Sequence, residues 1–276
     1  RNDVYHQHAP SLAAEACRQV IGRDANGVRS LVTSSCTGYT VPSLAVDLVD
    51  RLGLCGDTAR LPITEAGCAG GVVAIARAAD FIAAHPGSSA LAAAVELCSL
   101  SFHKSEDEGV LTANLIFGDG AGAALLEEGE GPGLEVVDAA SMLVPGTRHM
   151  LGFDLTDRGF YPVLSRELVD ALPDATMRAL TPMLARHGLH CRDIGAWLLH
   201  PGGSRILGRL EKELGLGRSQ THWSWDSLRA FGNTSSAAIF DVLRRYLEEP
   251  RPAEWGVVAA FGPGVAVELL LVQRAC

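Results

Sequence analysis

Arg60-Leu61-Pro62-Ile63-Thr64-Glu65-Ala66-Gly67-Cys68-Ala69-Gly70-Gly71 runs from a short apolar stretch, through a glycine-flanked turn, into an alanine-rich segment of helical period over 70–85. A strand that enters a helix through so short a turn marks a layered α/β chain, and Cys68 stands at the corner. Working outward, strand candidates at 30–34, 60–64, 89–96, 121–127, 196–200, 256–261 and 265–273 alternate with helix candidates at 11–21, 41–52, 70–85, 168–187, 204–214 and 235–248. That alternation argues against all-α and all-β architectures.

The plan occurs twice. In the first half a strand ends at Ser34-Ser35-Cys36-Thr37-Gly38, a helix follows, and a second strand and turn reach Cys68 at the head of another helix. In the second half a strand ends at His200-Pro201-Gly202-Gly203, a helix follows, and a segment through Trp223 and Trp225 reaches Asn233 at the head of another helix. Cys36 and Cys68 are 32 positions apart, His200 and Asn233 33. Each half then adds a strand, a glycine turn (Gly118-Asp119-Gly120 or Gly262-Pro263-Gly264) and a final apolar strand. A duplicated α/β unit explains this economically, with halves at 1–136 and 137–276. The polar turn over 128–133 is the best boundary, although a surface hairpin would read the same way.

Composition narrows the functions. With 276 residues and 47% hydrophobic content the chain can build a sizeable core. A net charge of −9 leaves no polycationic face for nucleic acid or anionic lipid. Seven cysteines without a CxxC pair read as reduced thiols, in keeping with a cytoplasmic protein. No 18 consecutive residues are apolar: the nearest stretch, 256–272, is interrupted by Gly262-Pro263-Gly264 and carries Glu268, so no membrane span is expected. No signal peptide is read either. Arg1 opens the chain without a methionine in a helix-like stretch, so the natural N-terminus is expected upstream.

Three polar residues sit where strands meet helices. Cys68 is readable as a buried structural thiol, the usual fate of free cysteine, or as a nucleophile. In the second case helix-end amides would draw its pKa from roughly 8.5 toward neutrality and could hold an oxyanion. His200 closes an apolar strand and reads as a satisfied core histidine or, once the duplication brings strand ends together, as the base a thiol needs. Asn233 reads as a helix N-cap or as a neutral amide donor for developing enolate charge. His187, His190 and Cys191 lack a second ligand set, so no metal is expected. The glycines at 118–122 precede a strand and are no dinucleotide loop, and no GxSxG elbow exists.

Gly67-Cys68-Ala69-Gly70-Gly71, Phe117-Gly118-Asp119-Gly120-Ala121, His200-Pro201-Gly202-Gly203, Gly232-Asn233-Thr234-Ser235-Ser236 and Phe261-Gly262-Pro263-Gly264 together resemble, in this order, the signature segments of type III polyketide synthases, the chalcone synthase-like enzymes, in their bacterial form. The resemblance covers nearly the whole chain. It implies a thiolase fold, a five-layer α-β-α-β-α arrangement of two similar halves, in a homodimer. It also implies an acyltransferase that condenses malonyl-CoA with an acyl-CoA starter by decarboxylative Claisen chemistry, giving a pyrone or phenolic polyketide. CoA thioesters are then substrates, and no cofactor is implied. Carried onto this chain, Cys68 resembles the nucleophile, His200 its activating partner, and Asn233 the second donor to the malonyl thioester carbonyl.

By the same resemblance Phe117 matches a gatekeeping aromatic, Ser101 and Ser235 line the cavity, Phe160 lies near its entrance, and Val41 reaches the partner subunit. Small side chains at Ser101 and Ser235 favour a fatty or alkyl starter. Cys36 sits beside the cavity as filler. The basic residues that grip CoA phosphates in such enzymes fall mostly upstream of Arg1; Arg205 is a candidate contributor or a solvated helix arginine. The rival readings are a β-ketoacyl synthase III-like or chain-joining ketosynthase using carrier-bound acyl groups, and a non-catalytic thiolase-fold partner subunit. The first rival usually carries His-Gln-Ala-Asn where this chain has His200-Pro201-Gly202-Gly203.

Overall fold

The central strands of this chain are apolar on both faces, and successive side chains enter different cores. In the computed structural model, which describes residues 1–22, 25, 27–129, 133–157, 159–250 and 254–275, β1 (Val28–Ser34) sends Leu31 to one side and Val32 to the other. In β3 (Ser89–Glu96), Leu91, Ala93 and Val95 alternate with Ala90, Ala92 and Ala94 in the same way. These strands join β2 (Ala59–Ile63) and β4 (Gly120–Glu127) in a sheet of order β2-β1-β3-β4, parallel except for β4. A second sheet, β5-β10-β9-β8, is built from β5 (Gly133–Leu143), β8 (Ala196–Leu199), β9 (Trp255–Gly262) and β10 (Ala266–Ala275).

Between the sheets lie α3 (Gly70–Ala84) and α8 (Ala238–Leu247). Their residues Ala74, Ala78, Ile239 and Val242 share one core with Ala92, Leu198 and Val258. Outside the first sheet, α1 (Asn2–Ile21) and α2 (Leu44–Leu52) cover Leu31 and Leu91 with Tyr5, Ala13 and Leu48. Outside the second, α5 (Leu168–Arg186) and α6 (Ser204–Leu214) cover Trp197, Val257 and Leu269 with Leu172, Leu180 and Leu207. The result is the expected five-layer α-β-α-β-α stack of two similar halves. The 18-residue helical stretch Gly67–Ala84 is long and apolar enough to cross a membrane by length and composition, and half of it is buried in this inner layer.

The structure departs from the sequence reading in identifiable places. α1 starts nine residues before the expected Ser11, because Tyr5, Ala9, Ala13 and Cys17 keep one buried face across Pro10. α2 starts at Leu44, not Val41, since Pro42 disfavours helix in the residue before it. The segment through Trp223 and Trp225 is a helix, α7 (His222–Phe231), where the first half has strand β2. The elements α4 (Glu108–Ile116), β5 and the hairpin of β6 (Leu151–Thr156) and β7 (Gly159–Leu164) have no counterpart in that reading. Of the candidate boundary turn over 128–133, residues 130–132 lie outside the described residues, as does Cys276.

The inner layer tolerates little added volume at the head of α3. A Cβ on Gly71 would run into the backbone carbonyl of Ser236 and the side chain of Ile239, whereas one on Gly208, inside α6, meets open space. Gly71→Ala is therefore expected to lower stability by about 1–3 kcal/mol, and Gly208→Ala to raise it by about 0.5–1 kcal/mol. Urea unfolding midpoints of the two variants check the opposite signs.

Candidate active site

Gly67 lets the elbow form. Its φ of 53° is left-handed, and a Cβ there would lie 2.6 Å from Pro263 Cδ in the β9–β10 turn. A short helical turn over Gly67–Ala69 then lifts Cys68 to the point where two cavities meet. The inner cavity, about 730 Å³ with the open space at its mouth included, is lined by Thr37, Cys98, Ser101, Phe153, Pro162 and Ser235, among others. The wider cleft, of about 1260 Å³ with its open mouth, is lined by His200, Asn233, Gly203, Arg166 and Arg205, among others. Cys68, Phe117, Leu151 and Leu164 belong to both, and so form the waist.

His200 follows β8. Its N–H donates to Ala259 O at 2.7 Å, and its carbonyl accepts from Gly202 N at 2.8 Å, which turns the chain sharply away from the sheet. The residue is 2% exposed, yet neither Nδ1 nor Nε2 has a hydrogen-bond partner among the described residues. A buried polar ring without partners costs free energy, so the reading of a satisfied core histidine fails here.

Asn233 is held by the first half of the chain. Its N–H donates to Ile116 O at 2.8 Å and its carbonyl accepts from Gly118 N at 3.0 Å, a bridge that also fixes Phe117. Oδ1 accepts from Ser235 N at 2.8 Å, while Nδ2 donates to Gly202 O at 3.3 Å. The amide thus serves both readings: its oxygen caps the following turn, and its nitrogen is placed between the His200 turn and the Cys68 thiol. Ser235 has a φ of 50°, a strained conformation for a residue with a Cβ, costing on the order of 1–3 kcal/mol. Its Oγ lies 3.5 Å from Cys68 Sγ and 3.4 Å from Cys36 Sγ.

Burial dominates the electrostatics. It pushes the Cys68 thiol up to about 11, against a partly offsetting hydrogen bond from Ser235, and pulls the His200 imidazole down to about 4. This corrects the expected near-neutral thiol: the sulfur lies inside the protein, where loss of hydration outweighs the helix-end field. The resting pair at neutral pH is therefore thiol and neutral imidazole, and a neutral imidazole can accept a proton as the sulfur attacks.

Other expected positions divide. Ser101 and Ser235 line the inner cavity, Phe117 stands at the waist, and Arg205 lines the wider cleft. Phe160 does not reach the entrance. It lines a separate cleft with Arg1, Cys36 and Tyr39, and packs edge-on to Phe153, with centroids 5.9 Å apart. The unforeseen β6–β7 hairpin sets this register and gives the cavity wall to Pro162 and Leu164 instead. Val41 is 76% exposed and lines none of these cavities. His187 is paired with Asp138 at 2.8 Å, and among the described residues no group of three or more His, Cys, Asp or Glu is placed to hold a metal ion.

Sequence reasoning missed Arg166, which shares the wider cleft and is paired with Glu108. It also missed Thr37, Cys98 and the buried Glu96, all within the site's walls or directly behind them. The end of β3, where a lone glutamate closes an alanine run, was the available signal for Glu96.

Residues 1–132 match the family model described as chalcone and stilbene synthases, N-terminal domain, and residues 135–275 the corresponding C-terminal domain. A 1,3,6,8-tetrahydroxynaphthalene synthase of Streptomyces peucetius subsp. caesius is 36% identical over 273 residues, spanning 95% of this chain and 72% of the relative. An alpha-pyrone synthesis polyketide synthase-like protein of Mycobacterium tuberculosis is 31% identical, spanning 98% of this chain and 72% of its own length. The crystal structure of 1,3,6,8-tetrahydroxynaphthalene synthase from Streptomyces coelicolor superimposes with a TM-score of 0.93 at 31% identity, over 100% of this chain and 80% of that one.

The unpartnered imidazole has a consequence for stability. Between pH 6.5 and about 4 the unfolded chain binds a proton on this ring that the folded chain refuses, so stability is unaffected above pH 6.5 and falls as pH drops toward 4. The loss is on the order of 3 kcal/mol. Urea unfolding at pH 7, 6, 5 and 4 should show this decline, and His200→Gln should flatten it.

Proposed function

This chain belongs to the chalcone and stilbene synthase family and is a type III polyketide synthase, a carbon–carbon bond-forming acyltransferase; within that activity we propose that Cys68 carries the acyl chain while His200 and Asn233 drive decarboxylation of malonyl-CoA. The observation that carries this reading is the buried, unpartnered His200 ring in the same cleft as Cys68 and Asn233. A partner-free imidazole is a cost to a scaffold and an asset to an enzyme, which argues against a non-catalytic subunit.

The steps follow from the groups present. His200 takes the thiol proton as Cys68 attacks the carbonyl of an acyl-CoA, and CoA leaves with a proton. Malonyl-CoA then loses CO₂, and the electron pair moves onto the thioester oxygen as an enolate. His200 and the Asn233 Nδ2 are the two donors aimed at that oxygen, each worth roughly 2.7–4 kcal/mol at comparable oxyanion sites. A neutral amide serves where a carboxylate would repel the charge. The enolate carbon attacks the Cys68 thioester, the new carbon–carbon bond forms, and the thiolate leaves, to be acylated again for a further round. The electron balance closes without an added oxidant or reductant, so the proposal calls for no redox cofactor.

The wider cleft suits the CoA arm, with Arg205 and Arg166 at its mouth, and the inner cavity suits the growing chain beyond the Phe117 waist. The hydroxyl-bearing Ser101 and Ser235 leave space in that inner wall, in keeping with a fatty or alkyl starter, and the family's substrates point to the cytoplasm, where CoA thioesters are made. The named products of the relatives support a phenolic or pyrone product. A homodimer fits the exposed Tyr39 and Val41 on one loop, an apolar surface of the kind a second copy covers.

Intact-protein mass spectrometry with a panel of acyl-CoAs should find one acyl mass, mapped to Cys68, and Cys68→Ala should abolish condensation. Asn233→Ala should slow malonyl-CoA decarboxylation by roughly 10²–10³-fold. An adduct on Cys36, or turnover by Cys68→Ala, would overturn the assignment.

A further inference from the structure

Directly behind the site lies a carboxylate that the steps above do not use. Glu96, at the end of β3, is fully buried, with 0% exposure. From the β1 end loop it accepts hydrogen bonds from Cys36 N at 3.0 and 3.2 Å, Thr37 Oγ1 at 2.8 Å and Ser35 Oγ at 3.4 Å. Thr37 Oγ1 itself accepts from Leu97 N at 2.9 Å, so its hydrogen is committed to the carboxylate. From the opposite half of the chain Ser236 Oγ donates to Glu96 as well. One side chain thus ties the end of β1 to the turn at the head of α8.

That turn is the strained one. Ser235, with its φ of 50°, lies between Asn233, whose Oδ1 takes its N–H, and Ser236, whose hydroxyl is on Glu96. A left-handed serine persists only where its surroundings over-determine it, and these are the two side-chain anchors flanking it. The Ser235 hydroxyl they aim sits within 3.5 Å of Cys68 Sγ. We propose that Glu96 is a positioning residue for the nucleophile: through Ser236 it clamps the Ser235 corner and so fixes the hydroxyl that touches the Cys68 thiol. The proposal rests on reading Cys68 as the nucleophile.

The groups facing Cys68 and Glu96 are Ser235 and Asn233 on the sulfur, Cys36 from the β1 end, Tyr5 from α1, Cys98 from the turn after β3 with Asp119 beyond it, and His200 across the cleft. A hydroxyl held on the sulfur favours its thiolate, so loosening the clamp lowers the thiolate fraction.

The link can be cut at either end with the carboxyl group kept, by Glu96→Asp, which withdraws it by one methylene, or by Ser236→Ala. The readout is the rate at which iodoacetamide alkylates Cys68 at pH 8, resolved from Cys36 and Cys98 by peptide mapping, with the buried Cys17 as the marker of intact folding. Ser235→Ala should slow alkylation about tenfold, the effect of one pKa unit. Glu96→Asp and Ser236→Ala should each slow it several-fold, and neither should slow it further when combined with Ser235→Ala. Slowdowns that multiply in the double variants, or wild-type rates in both single ones, overturn the proposal. If one variant exposes Cys17, the other end of the link decides. The acylation rate from an acyl-CoA should fall in parallel with KM unchanged. Absence of acylation in the unsubstituted protein would count against the assigned function, while the alkylation cycle would still judge the clamp.

Discussion

Two sheets share a single helical layer, and the thinness of that layer governs the rest. Ala74, Ala78, Ala90, Ala92 and Ala94 let α3 and α8 lie close to both sheets. Glycine at 71 lets α3 press onto the backbone at Ser236. With the halves drawn together at this depth, the strand ends of each open onto the same region, and residues 132 positions apart, Cys68 and His200, line one cleft. Close packing is thus the cause of the site as well as of the core.

The same burial decides the site's chemistry. In water a thiol and an imidazole titrate within two or three units of each other. Here the sulfur is harder to ionise and the ring harder to protonate, and both rest neutral. In the proposed mechanism charge enters such a site with substrate, where fixed donors such as the Asn233 amide would meet it without reorganising. The carboxyl group behind the sulfur is enclosed by the donors of four residues, which offset the upward push that burial gives its pKa.

Much of this was legible beforehand. The parallel-strand runs, the head of α3, α6 and the five glycine-bearing turns announce themselves through local chemistry: apolar runs of strand length, helical period, and residues that permit tight turns. The duplication was legible because the spacings of 32 and 33 survive in the chain. Cys68, His200 and Asn233 stood out because each sits at a junction of elements. What escaped was governed by contacts between distant segments. α7 carries tryptophans that pack on Tyr246 and beneath Arg218, partners that lie outside its own stretch of sequence. The β6–β7 hairpin takes its register from its own pairing, which places Phe160 in a separate cleft instead of near the entrance.

By itself the sequence determined the layered α/β plan, its duplication, and the three polar residues at the ends of strands and heads of helices, because propensity, periodicity and turn chemistry act over a few residues at a time. Tertiary structure alone decided that the thiol rests protonated, that the His200 ring lacks a partner, that Glu96 clamps the Ser235 corner, and which aromatic rings line the cavity. Those properties depend on what lies within a few ångströms in space, and in this fold the nearest neighbours of the site come from opposite halves of the chain.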